Sequence, residues 1–264
     1  MRPNRLRELL AAGKPSVGTH LLMIWPGVVE LVGRAGGYDY IEFLAEYGPF
    51  DLFSLDNFGR TVELFDGLSS MIKLDQQPRS FLAQRAMGAG IQNLLFADVR
   101  AVDDVRECVR AVRSEDPKSG GIHGVAMRRS VGYVYEGSSR AYVQALDDAV
   151  VALMIEKDSA VRNLEQLLAV KGVDMVQFGP SDYGLSVGLI GERNHPKIKE
   201  AREYVNRTAL AMGVQPRAEI NTAEQAKPYL DQGVRHFCIG YDVSILSDAF
   251  RKNSDEMRKV LERG

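Results

Sequence analysis

The chain has 264 residues, of which 45% are hydrophobic and 26% are charged, and its formal net charge is −2. This length suffices to bury one large core, and the near-neutral charge argues against nucleic acid or an anionic membrane as a partner. No apolar run reaches the roughly 18 residues that span a bilayer, and the first helix lacks the apolar core of a signal peptide, which predicts a cytoplasmic location. The two cysteines, Cys108 and Cys238, match neither a metal-ligand spacing nor a disulfide framework, so both are expected to be reduced and buried.

Apolar runs typical of strands alternate with amphipathic stretches typical of helices along the whole chain. An N-terminal helix that ends at Gly13 and Pro15 comes first, and the helix after the first strand begins at Pro26. Eight strands are predicted, at residues 16–22, 38–48, 71–74, 91–99, 150–156, 175–179, 215–220 and 236–240.

This strand count and the chain length predict an α/β protein that is a single (β/α)8 TIM barrel over residues 1–264. A doubly wound sheet is the alternative fold. It is weakened because no glycine-rich nucleotide fingerprint follows a strand, and GRAGG at 33–37 closes a helix instead of opening one.

Residues 115–140 interrupt the alternation with several glycines and no clear periodicity. Long irregular loops inside compact domains are usually functional or mobile, so this segment is predicted to be an insertion over the barrel mouth. Its basic and aromatic side chains suit either a lid for an acidic or aromatic substrate or a contact between subunits. They are Arg128, Arg129, Tyr133 and Tyr135.

The most informative stretch runs from Val150 to Gly188. It is predicted to be a β-α-β unit, in which functional groups lie at the carboxyl ends of the strands. Glu156 follows the first strand, and Asp182 follows the second through the turn Gly179-Pro180-Ser181. Two converging carboxylates with no histidine or cysteine beside them suit a hard divalent cation. Two ordinary loop carboxylates are the alternative that the spacing alone leaves open.

Three stretches together resemble the HpcH/HpaI aldolase family, which are metal-dependent carbon–carbon lyases of the pyruvate type on a TIM barrel. PNRLRELLAAGKPSVGTHL at 3–21 is similar to the family's opening, and QGVRHFCIGYDVSILSDAF at 232–250 is similar to its last strand and helix. IEKDSAVRNLEQLLAVKGVDMVQFGPSDYGLSVG at 155–188 resembles the family's metal-binding unit. This last stretch is the most specific, because both acid positions and the Gly-Pro-X-Asp turn are present together. The resemblance covers nearly the whole chain.

By this resemblance Glu156 and Asp182 would bind a divalent cation, Mg²⁺ or Mn²⁺, and the substrate would be a 2-oxo acid such as pyruvate. The cation would polarise the substrate carbonyl and hold the enolate that forms when a carbon–carbon bond breaks. The backbone N–H groups of Ser181 and Asp182, after Gly179 and Pro180, would hold the substrate carboxylate. Family members form symmetric oligomers, so a homo-oligomer, either a hexamer or a trimer, is expected, with the last helix packed on a neighbour.

The sequence departs from the family's catalytic set around one pocket. Where the family has a histidine partnered by an aspartate after strand two, this chain has Tyr47 and Leu44, and only Glu46 and Pro49 of that motif remain. Where the family has an arginine on strand three, this chain has Lys73, which keeps the positive charge and loses the planar fork.

Four residues form the predicted catalytic group. Lys73, desolvated beside a bound metal, would have a lowered pKa and act as an acid or base. Tyr47 would need a strongly perturbed pKa, or would donate a hydrogen bond to the enolate, and it equally suits a place in the pocket wall. His20 at the end of strand one and His123 in the irregular loop are candidates to replace the missing histidine, each with a structural alternative. The predicted group is His20, Glu46, Tyr47 and Lys73.

Arg217 and Glu219 on strand seven lie on the same face of that strand, because side chains of a strand alternate. If that face lines the lumen, the two residues add a charge pair near the site. If it does not, they form an ordinary ion pair against the helix layer.

Three functions fit the sequence. The first is a metal-dependent lyase of a 2-oxo acid, by retro-aldol cleavage or by decarboxylation; loss of the histidine–aspartate pair favours decarboxylation, which needs no base at a C4 hydroxyl. The second is a non-catalytic barrel that binds metal and oxo acid, which the missing residues favour and the charge of Lys73 argues against. The third is a lyase for a bulkier aromatic substrate, suggested by aromatic residues that suit core packing equally well. These are Phe43, Tyr47, Phe50, Phe53 and Phe58.

Overall fold

Eight parallel strands close into a barrel in chain order in this computed structural model, which describes residues 2–134 and 137–262. The predicted TIM barrel is therefore confirmed, and the doubly wound sheet is wrong, because such a sheet stays open at both edges. The strands are β1 Ser16–Leu21, β2 Tyr40–Leu44, β3 Ser69–Leu74, β4 Asn93–Phe96, β5 Val150–Ile155, β6 Met175–Phe178, β7 Gln215–Ile220 and β8 His236–Tyr241.

Helices surround the barrel, and none of those in the described residues is long and apolar enough to cross a membrane. The α-helices of this part of the chain are α1 Arg5–Ala11, α2 Pro26–Ala35, α3 Leu52–Val62, α4 Arg79–Gly88, α5 Val102–Arg110, α6 Arg140–Asp147, α7 Asp158–Arg162, α8 Leu164–Leu168, α9 Pro180–Ser186, α10 Pro196–Ala211, α11 Lys227–Leu230 and α12 Asp242–Leu261.

The second strand is shorter than the sequence pattern predicts. The pattern extends it to residue 48, whereas β2 ends at Leu44 and residues 45–47 form a turn. This turn places Glu46 and Tyr47 in the loop at the carboxyl end of the barrel, where TIM-barrel chemistry takes place.

The two faces of each strand alternate between the helix layer and the barrel lumen. Outward residues such as Ile41 and Ile72 pack with the helices into the main apolar core. Inward residues such as Tyr40 and Met71 form a second apolar cluster inside the lumen, and Leu6 of α1 inserts into it. Both cysteines are buried and unpaired, as expected.

Asn4 seals the amino end of the barrel. Its side chain caps α1 and donates hydrogen bonds to Asn93 Oδ1 and to the backbone carbonyl of Asp148, each at 2.8 Å. Its own carbonyl oxygen accepts a hydrogen bond from Ser69 Oγ at 3.1 Å. One buried amide therefore connects the first helix to three places at the start of the barrel strands.

The described part of segment 115–140 lies at the amino end of the barrel, and not over the mouth as expected. The reason is topological: α5 returns the chain from the carboxyl end of β4, and α6 leads directly into β5. Both arginines of the expected lid donate hydrogen bonds to backbone carbonyls of α4 or of the turn after it. His123 is buried here and contacts the carbonyl of Ala111 at 2.7 Å, whereas Tyr135 lies outside the described residues.

The last helix, α12, starts at the mouth of the barrel. The carboxylate of Asp242 accepts hydrogen bonds from the backbone N–H groups of Leu22 and Met23, both at 2.9 Å, which fixes this start to the loop after β1. Asp242 is the buried residue of this 20-residue helix. The helix exposes the apolar residues Val243, Ile245, Leu246, Phe250, Met257, Val260 and Leu261.

We expect Asn4→Ala to lower the free energy of unfolding by about 2–3 kcal/mol, because it removes a helix cap and the hydrogen bonds of Asn4 with the buried side chains of Asn93 and Ser69. Urea unfolding should show a lower midpoint with an unchanged slope. Glu8→Ala, at an exposed position of the same helix, is the control. Superimposable curves for the wild type and Asn4→Ala would contradict this role.

Candidate active site

A cavity of about 300 Å³ opens at the carboxyl end of the barrel. Glu46 reaches it indirectly, through its contact with Lys73. A second cavity of about 290 Å³ lies at the amino end and contains none of the predicted catalytic or metal-binding residues. The predicted site residues that line the first cavity are His20, Tyr47, Lys73, Glu156, Gly179, Pro180, Ser181 and Asp182.

Glu156 lies directly after β5 and is 3% exposed. One carboxylate oxygen accepts a hydrogen bond from the backbone N–H of Asp98 at 2.8 Å. The other lies against Gly179, where a Cβ atom would be only 2.7 Å from it. Burial raises the pKa of Glu156, and the charge of Lys73 partly opposes this effect.

Asp182 lies in the first turn of α9, directly after β6. Its carboxylate is partly exposed and lies 3.4 Å from the Lys157 ammonium group, which also lies 3.2 Å from Asp98. Glu156 and Asp182 are close enough for the charge of Asp182 to contribute to the raised pKa of Glu156.

The two carboxylates fit a hard divalent cation. Both offer oxygen ligands at one cavity, and Glu156 makes no ion pair among the residues that the structure describes. A buried carboxylate without a cationic partner is costly, and a bound cation would offset that cost. The donor set matches Mg²⁺ or Mn²⁺ better than a soft metal, because it contains no sulfur or imidazole.

Lys73 is held by the two residues of the turn after β2. Its ammonium group lies 2.6 Å from Glu46 Oε2 and donates a hydrogen bond to Tyr47 Oη at 2.8 Å. Burial alone would lower the pKa of Lys73, but the contacts with Glu46 and Tyr47 outweigh it and raise the pKa. Lys73 is therefore held as a positive charge by its two neighbours, and burial does not lower its pKa here. A role for Lys73 as an acid or base beside a bound metal stays a prediction.

Arg217 and Glu219 both face the lumen, which decides between the two sequence alternatives. Arg217 is 2% exposed, and its guanidinium donates to Gln177 Oε1 at 2.7 Å and forms a close ion pair with Glu42. Glu219 accepts a hydrogen bond from Gln177 Nε2 at 3.0 Å. These four side chains form a connected polar group inside the barrel.

His20 lies beside this polar group and is 1% exposed. Its Nε2 atom is 3.7 Å from a Glu42 oxygen, and its Nδ1 atom is 3.9 Å from a Glu219 oxygen. His20 thus faces the predicted cavity, whereas the other candidate histidine, His123, lies at the opposite end of the barrel and cannot reach it.

Sequence reasoning missed Glu42 and Gln177 as site residues. Each is a single polar residue inside a short apolar strand, Y-I-E-F-L and M-V-Q-F, and a polar residue at such a position was the available signal. Arg193, in the turn after α9, also lines the cavity and carried no such signal, since it lies in an exposed polar loop.

Most of the aromatic residues noted in the sequence belong to the core and not to the cavity. Phe43 and Phe58 are fully buried, and the Phe50 ring packs edge-on against Phe43 with centroids 5.8 Å apart. Phe53 is 82% exposed, and Tyr47 alone of the group lines the cavity. A pocket built from these rings is therefore absent from the described residues, and the aromatic-substrate alternative loses its support.

Burial raises the pKa of Tyr47 to about 12, although Lys73 opposes the rise. The difference between ultraviolet titrations of the wild type and of Tyr47→Phe gives the phenolate absorbance of Tyr47. We expect this absorbance to appear near pH 12 instead of near the ordinary value of 10. A Tyr47 phenolate that formed below pH 10 would show instead that this hydroxyl can exchange protons in catalysis.

Comparisons with known proteins agree with this geometry. The family model described as HpcH/HpaI aldolase/citrate lyase matches residues 65–249. A 5-keto-4-deoxy-D-glucarate aldolase of Klebsiella pneumoniae is 25% identical over 257 residues, covering 97% of this chain and 98% of the relative. A hydroxypyruvate/pyruvate aldolase of Cupriavidus necator is 29% identical over 265 residues, covering 97% of this chain and 93% of the relative.

A solved structure supports the same assignment. The crystal structure of an HpcH/HpaI aldolase/citrate lyase family protein from Burkholderia cenocepacia superimposes with a TM-score of 0.88 at 27% identity, covering 97% of this chain and all of that one. The match extends through the barrel and the strands that carry the cavity. The protein is a carbon–carbon lyase, which sets aside the non-catalytic binding barrel, and the chain belongs to the HpcH/HpaI aldolase/citrate lyase family.

Proposed function

We propose that the protein is a divalent-metal-dependent lyase that makes or breaks a carbon–carbon bond of a 2-oxo acid of the pyruvate type. The observation that carries this proposal is the convergence of Glu156, Asp182 and Lys73 on one cavity at the carboxyl end of the barrel. Two carboxylates for a cation and one fixed ammonium group are the charges that a 2-oxo acid and its enolate need. The names of the two aldolase relatives also denote oxo acids.

Glu156 and Asp182 would hold the cation, Mg²⁺ or Mn²⁺, which when bound polarises the substrate carbonyl. The start of α9 would bind the substrate carboxylate. Pro180 has no backbone N–H, so Ser181 and Asp182 supply the first free donors of this helix, and Gly179 before them leaves room beside Glu156.

Lys73 would stabilise negative charge on the oxo oxygen of the substrate. Its contacts with Glu46 and Tyr47 keep the ammonium group in place before the substrate arrives, so no reorganisation is needed when charge develops. Tyr47 accepts a hydrogen bond from Lys73, which leaves its own proton free to donate to the substrate. Glu46 would therefore act by positioning Lys73, and Tyr47 would both position Lys73 and donate a hydrogen bond to the substrate.

We expect the protein with Mg²⁺ or Mn²⁺ to catalyse exchange of the methyl protons of pyruvate in D₂O, followed by proton NMR. Glu156→Gln should slow this exchange by a factor of about 100 or more, because the buried amide cannot supply the charge that a cation needs. Binding of Mn²⁺, measured by calorimetry, should weaken in parallel.

Glu165→Gln is the matched control for that experiment, since Glu165 is an exposed glutamate on α8. It should bind Mn²⁺ and exchange pyruvate protons as the wild type does. Unchanged exchange in Glu156→Gln, or exchange that needs no metal, would contradict the proposed site.

We also propose that the protein is a homo-oligomer in which α12 packs against a neighbouring copy. The support is the apolar surface of α12, whose residues Ile245, Phe250 and Met257 are more than half exposed on a helix with a single buried residue. Contiguous exposed apolar surface of this kind usually marks an interface.

Sedimentation should therefore report a mass several times that of one chain. The double variant Phe250→Glu/Met257→Glu should sediment as a smaller species, because charge on this face opposes burial. Lys252→Gln, at an exposed position of the same helix, should leave the mass unchanged. A monomeric wild-type protein at micromolar concentration would rule the interface out.

A further inference from the structure

Five side chains form an incomplete ring inside the barrel, which we call the lumen ring: His20, Glu42, Gln177, Arg217 and Glu219. Arg217 is its centre, because its guanidinium binds Glu42 directly and Glu219 through Gln177. The remaining oxygen of Glu42 faces His20 Nε2 at 3.7 Å, and the remaining oxygen of Glu219 faces His20 Nδ1 at 3.9 Å. Arg217 thus aims two carboxylates at the two nitrogens of one imidazole.

The ring is left open at His20. Among residues 2–134 and 137–262, neither ring nitrogen of His20 has a hydrogen-bond partner, and neither do the facing oxygen of Glu42 and the Nη2 atom of Arg217. Each buried, unpartnered polar atom costs about 1–3 kcal/mol, so a group with a purely structural role would be expected to close these gaps. An unsatisfied buried polar group in a native structure calls for an explanation, such as a catalytic role or a bound water or ion.

The open part of the ring faces the substrate cavity. His20, Glu42 and Glu219 all line it, and the side chain of Glu219 is 52% exposed there. His20 itself is buried at the wall of this cavity, which Glu156 and Asp182 also line. The imidazole and the proposed metal ligands therefore share one cavity.

A second metal ion is a poor occupant of the ring. His20, Glu42 and Cys238 offer ligand atoms within 4.8 Å of one another. However, the Arg217 guanidinium already neutralises Glu42, and a cation beside it would be repelled. Burial also raises the pKa of the Cys238 thiol, which keeps this ligand protonated.

We infer that His20, paired with Glu219 and oriented by Glu42, which Arg217 holds in place, is the proton-transfer group of this enzyme. The inference rests on the proposed function. It places the imidazole on β1 and its carboxylate on β7, whereas the end of β2 carries Leu44 and the turn after it carries Tyr47. His20 is the catalytic residue in this arrangement, and Glu42, Arg217 and Gln177 are positioning residues.

The charges around His20 suit a base that is neutral before reaction. Two carboxylates, Glu42 and Glu219, and two cations, Arg217 and Lys73, act on it. Burial lowers the pKa of His20, while the two carboxylates raise it in opposition. The imidazole is thus free to accept a proton, and the carboxylates stabilise the imidazolium once it forms.

In cleavage of a 4-hydroxy-2-oxo acid, His20 takes the proton of the C4 hydroxyl. The O–H electron pair becomes the second bond of the new aldehyde carbonyl, the C3–C4 bond breaks, and its electron pair forms the enolate of pyruvate. The imidazolium then returns the proton to C3, which yields pyruvate and restores neutral His20. Atoms and charge balance, and the reverse sequence removes a methyl proton of pyruvate.

Two reactions separate this role from the proposed function. Exchange of pyruvate methyl protons needs a base, whereas loss of CO₂ from oxaloacetate gives the same enolate without one. With Mn²⁺ present, we expect His20→Asn and Glu219→Gln to reduce exchange by about 100-fold or more, while oxaloacetate consumption stays within about 3-fold of wild type. Glu224→Gln, an exposed carboxylate just after β7, should change neither rate.

Each other result has a distinct meaning. Equal loss of both rates, or loss of neither, would overturn the role of His20, as would a wild type that decarboxylates oxaloacetate without exchanging pyruvate protons. A wild type with neither reaction would defeat the proposed function itself. Glu219→Gln is a mild change, because the new amide can still accept the hydrogen bond from Gln177.

A titration without metal or substrate tests the pairing directly. The chain has four histidines, so the imidazole resonance of His20 can be assigned by its absence in His20→Asn. We expect a lower pKa of His20 in Glu219→Gln than in the wild type, because a carboxylate that stabilises the imidazolium has been removed. Identical titration curves would overturn the pairing, and a residue that only fills space would give that result.

Discussion

The buried guanidinium of Arg217 is the charge on which the interior of this barrel depends. An unpaired cation at 2% exposure would be prohibitively costly, so its position requires an anion at hydrogen-bond distance, which Glu42 provides. Once that pair is in place, Gln177 and Glu219 are fixed by the remaining donors and acceptors. The apolar cluster around Tyr40 and Met71 fills the lumen below, and the charged groups are confined to the end that opens to solvent.

The cavity carries two polar assemblies with different tasks. On one wall, Glu46 and Tyr47 hold the Lys73 ammonium group in place, which suits the electrostatic stabilisation proposed for it. On the opposite side, the lumen ring presents an imidazole whose nitrogens have no hydrogen-bond partner in the described part of the chain. Separating charge stabilisation from proton transfer in this way lets each group have the pKa that its task requires.

Periodicity and spacing predicted the barrel and the convergence of Glu156 and Asp182, because a β-α-β unit brings the ends of consecutive parallel strands together whatever surrounds them. The same reasoning left the direction of Arg217 open, since alternation relates residues within one strand and does not say which face is inward. It failed to predict that the pKa of Lys73 is raised, because that shift depends on Glu46 and Tyr47. These two residues lie in a turn that the strand pattern had assigned to β2. It failed again for segment 115–140, where the rule that a loop after a helix lies at the amino end of the strands was the missing step.

Gly179 has a consequence for how this pocket can diverge. The walls are made of side chains from separate strands and loops, so a residue such as Arg193, in the exposed turn after α9, can be exchanged without moving the main chain. The base of the cavity is different, because the main chain of Gly179 lies directly against the carboxylate of Glu156. A Cβ atom at position 179 would lie 2.7 Å from Glu156 Oε2 and displace it. Variation in substrate choice is thus open to the rim of the barrel, while the atomic spacing at its base admits a single amino acid.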